Sequence, residues 1–160
     1  KTIKPLQNKN INLYIKSFIH PEEEGTVIQS SIEHDHITPS FIFKMDQMLI
    51  SISPKDFSFV DEISLQEIFQ VLSKMRVKIN LMQNSAISFS ICVDRSKIDI
   101  ELLIEKLKEN YFMKYNTGLE LVTIRHFDDA TIERVTVDKE IILEQKTRNM
   151  ARLIIKNATD

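Results

Sequence analysis

The chain has 160 residues, 42% hydrophobic and 28% charged, with a net charge of −2, the balance of a soluble, core-forming protein of one domain or two small ones. That charge, without any Lys/Arg run, argues against nucleic acid as a partner, and no apolar stretch approaches the roughly 20 residues of a membrane span. Two glycines (Gly25 and Gly118) and one cysteine (Cys92) exclude a dinucleotide fingerprint, a phosphate-binding glycine loop, an internal disulfide and a paired-cysteine metal site, and a lone thiol fits a reducing cytoplasm.

Residues 11–19 alternate as a strand and end in a turn running from His20-Pro21 to Gly25-Thr26. Residues 29–40 carry Ser, His, Asp, Thr and Pro39 without a period and read as a linker. The chain begins at Lys1 rather than Met, so residues 1–40 are expected to be the tail of a missing domain plus its linker. Met48, Ile50 and Ile52 then alternate with Leu49, Ser51 and Ser53 in a strand that stops at Pro54. Val60, Ile63, Ile68, Val71, Leu72 and Met75 recur with helical spacing, placing a helix start near Ser58–Asp61. Val77, Ile79 and Leu81 begin a second strand, and Ile87, Phe89, Ile91 and Val93 mark a third after a turn at Gln83-Asn84-Ser85. Ile100, Leu103, Ile104 and Leu107 predict a second helix. Tyr111, Met113 and Tyr115 predict a fourth strand, ended by Asn116-Thr117-Gly118.

This β-α-β-β-α-β order is the ferredoxin-like arrangement of an α+β protein, assigned to residues 41–117. Residues 118–160 start the cycle again. Leu119–His126 reads as a strand, Asp128–Val135 as a short helix, and Ile141–Gln145 with Met150–Lys156 as a hairpin. The second unit is truncated: it lacks a last helix and strand, so its apolar face needs a neighbour to cover it.

Several polar groupings have ordinary explanations. His34 and His36 flank Asp35, but a metal needs more ligands than these two. Cys92 sits in an alternating strand without an activating motif. Arg125-His126 and Asp128-Asp129 read as solvated charges at a strand end, and Glu22-Glu23-Glu24 as a solvated turn.

One segment is a better candidate site. The loop containing Ser53, Lys55, Asp56, Phe57, Ser58, Phe59, Val60 and Asp61 joins a strand to a helix N-terminus, where free N–H groups and the helix dipole favour a carboxylate. With the second strand taken to lie beside the first, Asn80, Gln83, Asn84 and Ser85 would approach that loop and offer amide and hydroxyl groups to a small amino acid.

These pieces, in this order, resemble the C-terminal regulatory portion of a bacterial aspartate kinase. Residues 12–21 (Asn-Leu-Tyr-Ile-Lys-Ser-Phe-Ile-His-Pro) with Gly25-Thr26 are similar to the closing strand and turn of that family's catalytic domain. Residues 76–94 resemble its regulatory hairpin, and 142–149 look like a worn copy of the same hairpin. The resemblance implies tandem ACT domains, the second incomplete here, that sense an end-product amino acid. They would form homodimers and serve a missing N-terminal kinase domain that uses ATP and Mg to make 4-phospho-L-aspartate. Lysine ranks first as effector and threonine second, although Asn80 and Ala86 stand where lysine-inhibited relatives often carry acids. The fragment has no glycine-rich catalytic motif and is expected to be inactive itself. The alternative is a structural dimerisation module with a decayed ligand site. RNA binding and acyl-phosphate hydrolysis, which the same fold serves elsewhere, rank below both.

Overall fold

The computed structural model describes residues 3–30 and 38–158, in two compact units that divide at Pro39/Ser40. The first unit is small: a one-and-a-half-turn helix α1 (Ile3–Asn8) and an antiparallel pair, β1 (Leu13–Ile15) with β2 (Thr26–Ile28). The strand expected over 11–19 is therefore only its middle. Gly25 has φ +71° and lies 2.3 Å, at its hypothetical Cβ, from the Ile15 carbonyl oxygen, so no side chain fits this crossing. Phe18 and Ile19 are exposed. His34 and His36 lie outside the described residues.

The second unit runs β3 (Ser40–Pro54), α2 (Glu62–Lys74), β4 (Ile79–Asn84), β5 (Phe89–Asp94), a 3-10 turn, α3 (Ile100–Leu107), β6 (Tyr111–Arg125), α4 (Asp129–Thr136), β7 (Lys139–Lys146) and β8 (Met150–Asn157). Its strands form one antiparallel sheet in the order β4-β5-β3-β6-β8-β7. The order β4-β5-β3-β6 is the ferredoxin-like one, and the fold is mixed α+β as expected. It corrects one expectation. The second strand of the unit, β4, does not lie beside the first, β3; β5 separates them, because the hairpin partner of β4 inserts between the two strands joined by α2.

The sheet belongs to both halves of this unit. The C-terminal part of β3 (Leu49–Pro54) pairs with Tyr111–Asn116, and its N-terminal part (Ser40–Lys44) pairs with Leu121–Arg125. The stretch Ser40–Lys44 thus stands beside β6 in the place of the last strand that sequence reading found missing from the second half. A strand edge left open there would expose a row of unpaired backbone groups. In that half, α4 is the one helix among the described residues.

Each long strand carries a register break at the junction of the halves, around Asp46 (φ 51°) in β3 and Gly118 (φ +69°) in β6. An extra residue reverses which face a strand's alternation presents. Met48, Ile50 and Ile52 accordingly pack with Ile68, Leu72, Leu103 and Leu107 beneath α2 and α3, whereas Phe41 packs with Val122, Ile124, Ile132 and Val135 under α4. Between these layers, the helix-free faces of the two halves meet in a third cluster of Leu49, Leu81, Cys92, Leu119, Leu121 and Ile154. The apolar face that called for a neighbour finds it in the same chain. Gln145 of β7 reaches across to the backbone of β4, its amide donating to the Met82 carbonyl (2.8 Å).

A polar cluster sits at the register break. Gln47 is 1% exposed, and its amide donates to the Met45 carbonyl (2.9 Å) and Asp94 Oδ1 (3.0 Å). Asn80 Nδ2 donates to Gln47 Oε1 (2.8 Å) and Asp94 Oδ1 (2.7 Å), while Asn80 Oδ1 accepts from Lys44 (2.7 Å). Hydrogen bonds from Gln47, Lys97 and Asn80 hold the Asp94 carboxyl well below its ordinary range. Burial, with the charge of Asp94, pushes the Cys92 thiol up to about 11, so it is a packed strand residue rather than a nucleophile.

Candidate functional site

The β3–α2 loop is built by three local devices. Asp56 Oδ1 accepts from the Ser58 backbone N–H (3.0 Å), turning the chain after Lys55. Phe57 takes φ 60° at the tip, and its ring is exposed. Asp61 then caps α2, accepting from the N–H and hydroxyl of Ser64, both at 2.8 Å. These donors hold the carboxyls of Asp56 and Asp61 below their ordinary value.

This cap alters the expected carboxylate seat. Among the N–H groups of residues 58–61, that of Ser58 serves Asp56 and that of Val60 donates to the Ala86 carbonyl (2.8 Å). The Asp61 carboxylate occupies the positive end of the helix itself. The cation at this loop that could meet a ligand carboxylate is the Lys55 ammonium, which lies 5.5 Å from the centre of the Phe112 ring and donates to the Lys108 carbonyl.

The loop nevertheless forms one wall of a cavity of about 300 Å³. Because β6 is the neighbour of β3, with Pro54 opposite Tyr111, the segment entering β6 faces the loop across the sheet end. Lys55, Asp56 and Ser58 from one side thereby meet Glu67 of α2 and Glu109, Asn110 and Tyr111 from the other. The Tyr111 hydroxyl donates to Glu67 Oε2 (2.7 Å). Burial, then this bond, raises the phenol to about 12, so it remains a neutral donor at ordinary pH. Three carboxylates (Asp56, Glu67 and Glu109) against the single ammonium of Lys55 make the cavity acidic, a setting that favours a cationic ligand with one carboxylate.

The other expected residues are distributed differently. Ser53 is the next-to-last residue of β3, opposite Phe112; Phe59 is exposed, and Val60 is buried beneath the loop. Asn84 ends β4, paired with Phe89. The turn expected at Gln83-Asn84-Ser85 runs instead from Ser85 to Ser88 beside the loop, through the contact between Val60 and Ala86, with Ser85 taken up by Ser88. Gln83 is close to Gln145 of the other half. Asn80 is at the far end of β4, among Gln47, Asp94 and Lys44, so one chain does not bring it to the loop. Sequence reading missed Glu67, Glu109, Asn110 and Tyr111. The split βαβ order could have revealed them, since it sets the fourth strand beside the first. Asp128 is explained as the cap of α4, in a capping box with Thr131. Among the described residues no group of three or more His, Cys, Asp or Glu is placed to hold a metal, and no helix is long and apolar enough to cross a membrane.

No protein-family model matches the sequence, and no curated protein matches it. Solved structures do. The chain is similar to aspartate kinase from Clostridium acetobutylicum, at 17% identity and a TM-score of 0.79, over 99% of this chain and 41% of that one. It is similar to Escherichia coli aspartokinase III in complex with lysine and aspartate, at 16% identity and a TM-score of 0.72, over 97% of this chain and 38% of that one. A C-terminal regulatory domain of aspartate kinase from Porphyromonas gingivalis W83 matches at 11% identity and a TM-score of 0.62, over 77% and 88% of the respective chains. The chain thus shares its fold with the regulatory region of aspartate kinases, and spans about two fifths of the length of the first two.

Proposed function

We propose that this chain is the amino-acid-sensing regulatory part of an aspartate kinase, with free lysine as its first effector and threonine as its second. The observation that carries the reading is the agreement in fold along nearly the whole chain, both compact units included, with two bacterial aspartate kinases. The kinase domain it would serve converts aspartate and ATP, with Mg, to 4-phospho-L-aspartate; the effector bound here would inhibit that reaction.

The Tyr111 cavity supports lysine over threonine. Lysine brings two ammonium groups and one carboxylate. The carboxylate pairs with Lys55, and the ammonium groups with Glu67, Glu109 and Asp56 around the same cavity. Threonine brings one ammonium and leaves more of that acidity unmatched. The homodimer belongs to the same reading. β4 is an edge strand whose Met82, Gln83 and Asn84 are exposed. Its Asn80 and Met82 carbonyls already accept from Arg152 and Gln145 of the same chain, so a two-fold contact at this edge would be made by the exposed side chains rather than by extending the ladder.

Two measurements test this. Lysine at about 100 times its dissociation constant should stabilise the fold by roughly 2.7 kcal/mol, read as a rise in melting temperature that Glu67→Gln reduces. If no amino acid moves the melting temperature, the structural dimerisation module is the better reading. The helix N-terminus already filled by Asp61 favours that alternative. Light scattering should give twice the chain mass; a monomer mass at every concentration counts against the dimer.

A further inference from the structure

The cluster between the two half-sheets opens to solvent at the end marked by the register break. There a groove of about 450 Å³ lies between the helix-free face of the second half and the start of β4. We propose that this groove is a second ligand site, taking a small monocarboxylate with an apolar body. It is separate from the Tyr111 cavity, which lies at the opposite end of β3.

The charge is the first argument. The Arg152 guanidinium donates one bond, to the Asn80 carbonyl (2.6 Å). Its Nε is buried without a partner, and among the described residues no carboxylate lies within ion-pair distance of it. Lys44, its neighbour in the groove, donates to Asn80 Oδ1. The carboxylate nearest to Lys44, that of Asp94, is 3.9 Å away and already accepts from Gln47, Asn80 and Lys97. Two cations therefore line a half-buried groove that has no carboxylate among its lining residues, and the carboxylate beside Lys44 is committed elsewhere. The buried Nε is closed to a ligand, so a carboxylate in the groove would meet the terminal Nη groups of this partly desolvated guanidinium, whose charge no carboxylate balances.

The walls are the second argument. Ile42, Ile79, Leu121 and Met150 line the rest of the groove, with the Thr123 hydroxyl as a further polar group. Ile42 is 53% exposed, so it has apolar surface left to cover. The volume is within the roughly 300–1,000 Å³ of small-molecule sites, and a branched hydrocarbon body on the anion would cover these side chains. Inorganic phosphate or acetate would meet the cations and leave the walls wet.

The test is a titration of the full chain with 4-methyl-2-oxopentanoate, followed by melting temperature and by methyl NMR signals of Met150 and Ile42. A saturable rise in melting temperature with shifts of those methyls is expected. Acetate and phosphate should bind about tenfold or more weakly, lacking the apolar contact. Lys44→Gln and Arg152→Gln should each weaken binding about tenfold or more. Since the Arg152 change also removes a bond to β4, Ile42→Asp, at an exposed position, supplies a variant that folds while repelling the anion. No binding, equal binding of phosphate or acetate, or binding unchanged by both Lys44→Gln and Ile42→Asp would overturn the proposal. The lysine-dependent shift assigned to the Tyr111 cavity should survive Lys44→Gln, so the two sites fail separately.

Discussion

Replacing Ile154 by Ala should lower the unfolding free energy by about 2–5 kcal/mol, the usual cost of truncating a fully buried aliphatic side chain. Ile154 is completely buried in β8. Its neighbours, Leu49, Leu81 and Cys92 from the first half and Leu119 and Leu121 at the junction, form the layer where the two helix-free faces meet. The loss should therefore reach both halves. A urea titration followed by two probes, one in each half, should show one transition moved to lower denaturant for both. If the first half melts unchanged while β7 and β8 melt early, the halves are separate folding units and the shared cluster contributes little. Ile50→Ala, under α2 and α3, provides the comparison: a similar cost from a residue confined to one half.

The difference between those two isoleucines also shows what a sequence can and cannot disclose. Ile50 belongs to an alternation that runs uninterrupted from Met48 to Ser53, next to a helix with a clear apolar stripe, and its place in a ferredoxin-like unit follows from local pattern. The helices α2, α3 and α4 and the hairpin of β7 and β8 were legible for the same reason. Ile154 sits on an equally clear strand, and so do its partners Leu49 and Cys92, but no local pattern tells that these strands face each other. In β3 and β6 the alternation changes phase at Asp46 and Gly118, so β6 reads as two short strands with Asn116-Thr117-Gly118 as a turn, and the strand expected in β3 begins only at Met48. The chain bulges there instead of reversing, because β3 continues alongside. That one misreading hid the strand completing the second half and the closure of one half on the other.

The candidate site was half legible for a related reason. Lys55, Asp56 and Ser58 lie in a loop whose turn chemistry is local. Glu67, Glu109 and Tyr111 join them only through the pairing of β3 with β6. The expectation that Asn80 joins the loop rests on β4 lying beside β3, which the sheet order excludes. The Asn80 side chain is instead committed to Gln47, Asp94 and Lys44 at the other end of the strand.

The second large effect is expected at Gln47. The register break turns this residue inward, and it is the one fully buried polar side chain among the described residues. Its carbonyl oxygen accepts from Asn80, and its amide supplies a donor to Asp94 and to the Met45 carbonyl. Gln47→Ala leaves those groups short of a partner and opens a cavity, at a cost of about 2–4 kcal/mol. A change below about 1 kcal/mol would mean that water replaces the amide without loss. The same cluster predicts an acid dependence. The folded carboxyl of Asp94 titrates well below its ordinary value of 3.8. Its contribution to stability is thus fully present above that value, and is lost as the pH falls from there through the folded pKa. Asp56, Asp61 and Asp128 are depressed in the same direction by their turn and cap hydrogen bonds and share in the acid slope. Asp94→Asn should therefore be less stable than the parent at neutral pH and lose stability less steeply below about pH 4. Gln47→Ala, which removes the hydrogen bond that contributes most to the Asp94 depression, should also flatten that slope. Parallel acid titrations of parent and Gln47→Ala would separate this hydrogen-bond role from simple packing, because a cavity alone lowers stability equally at every pH.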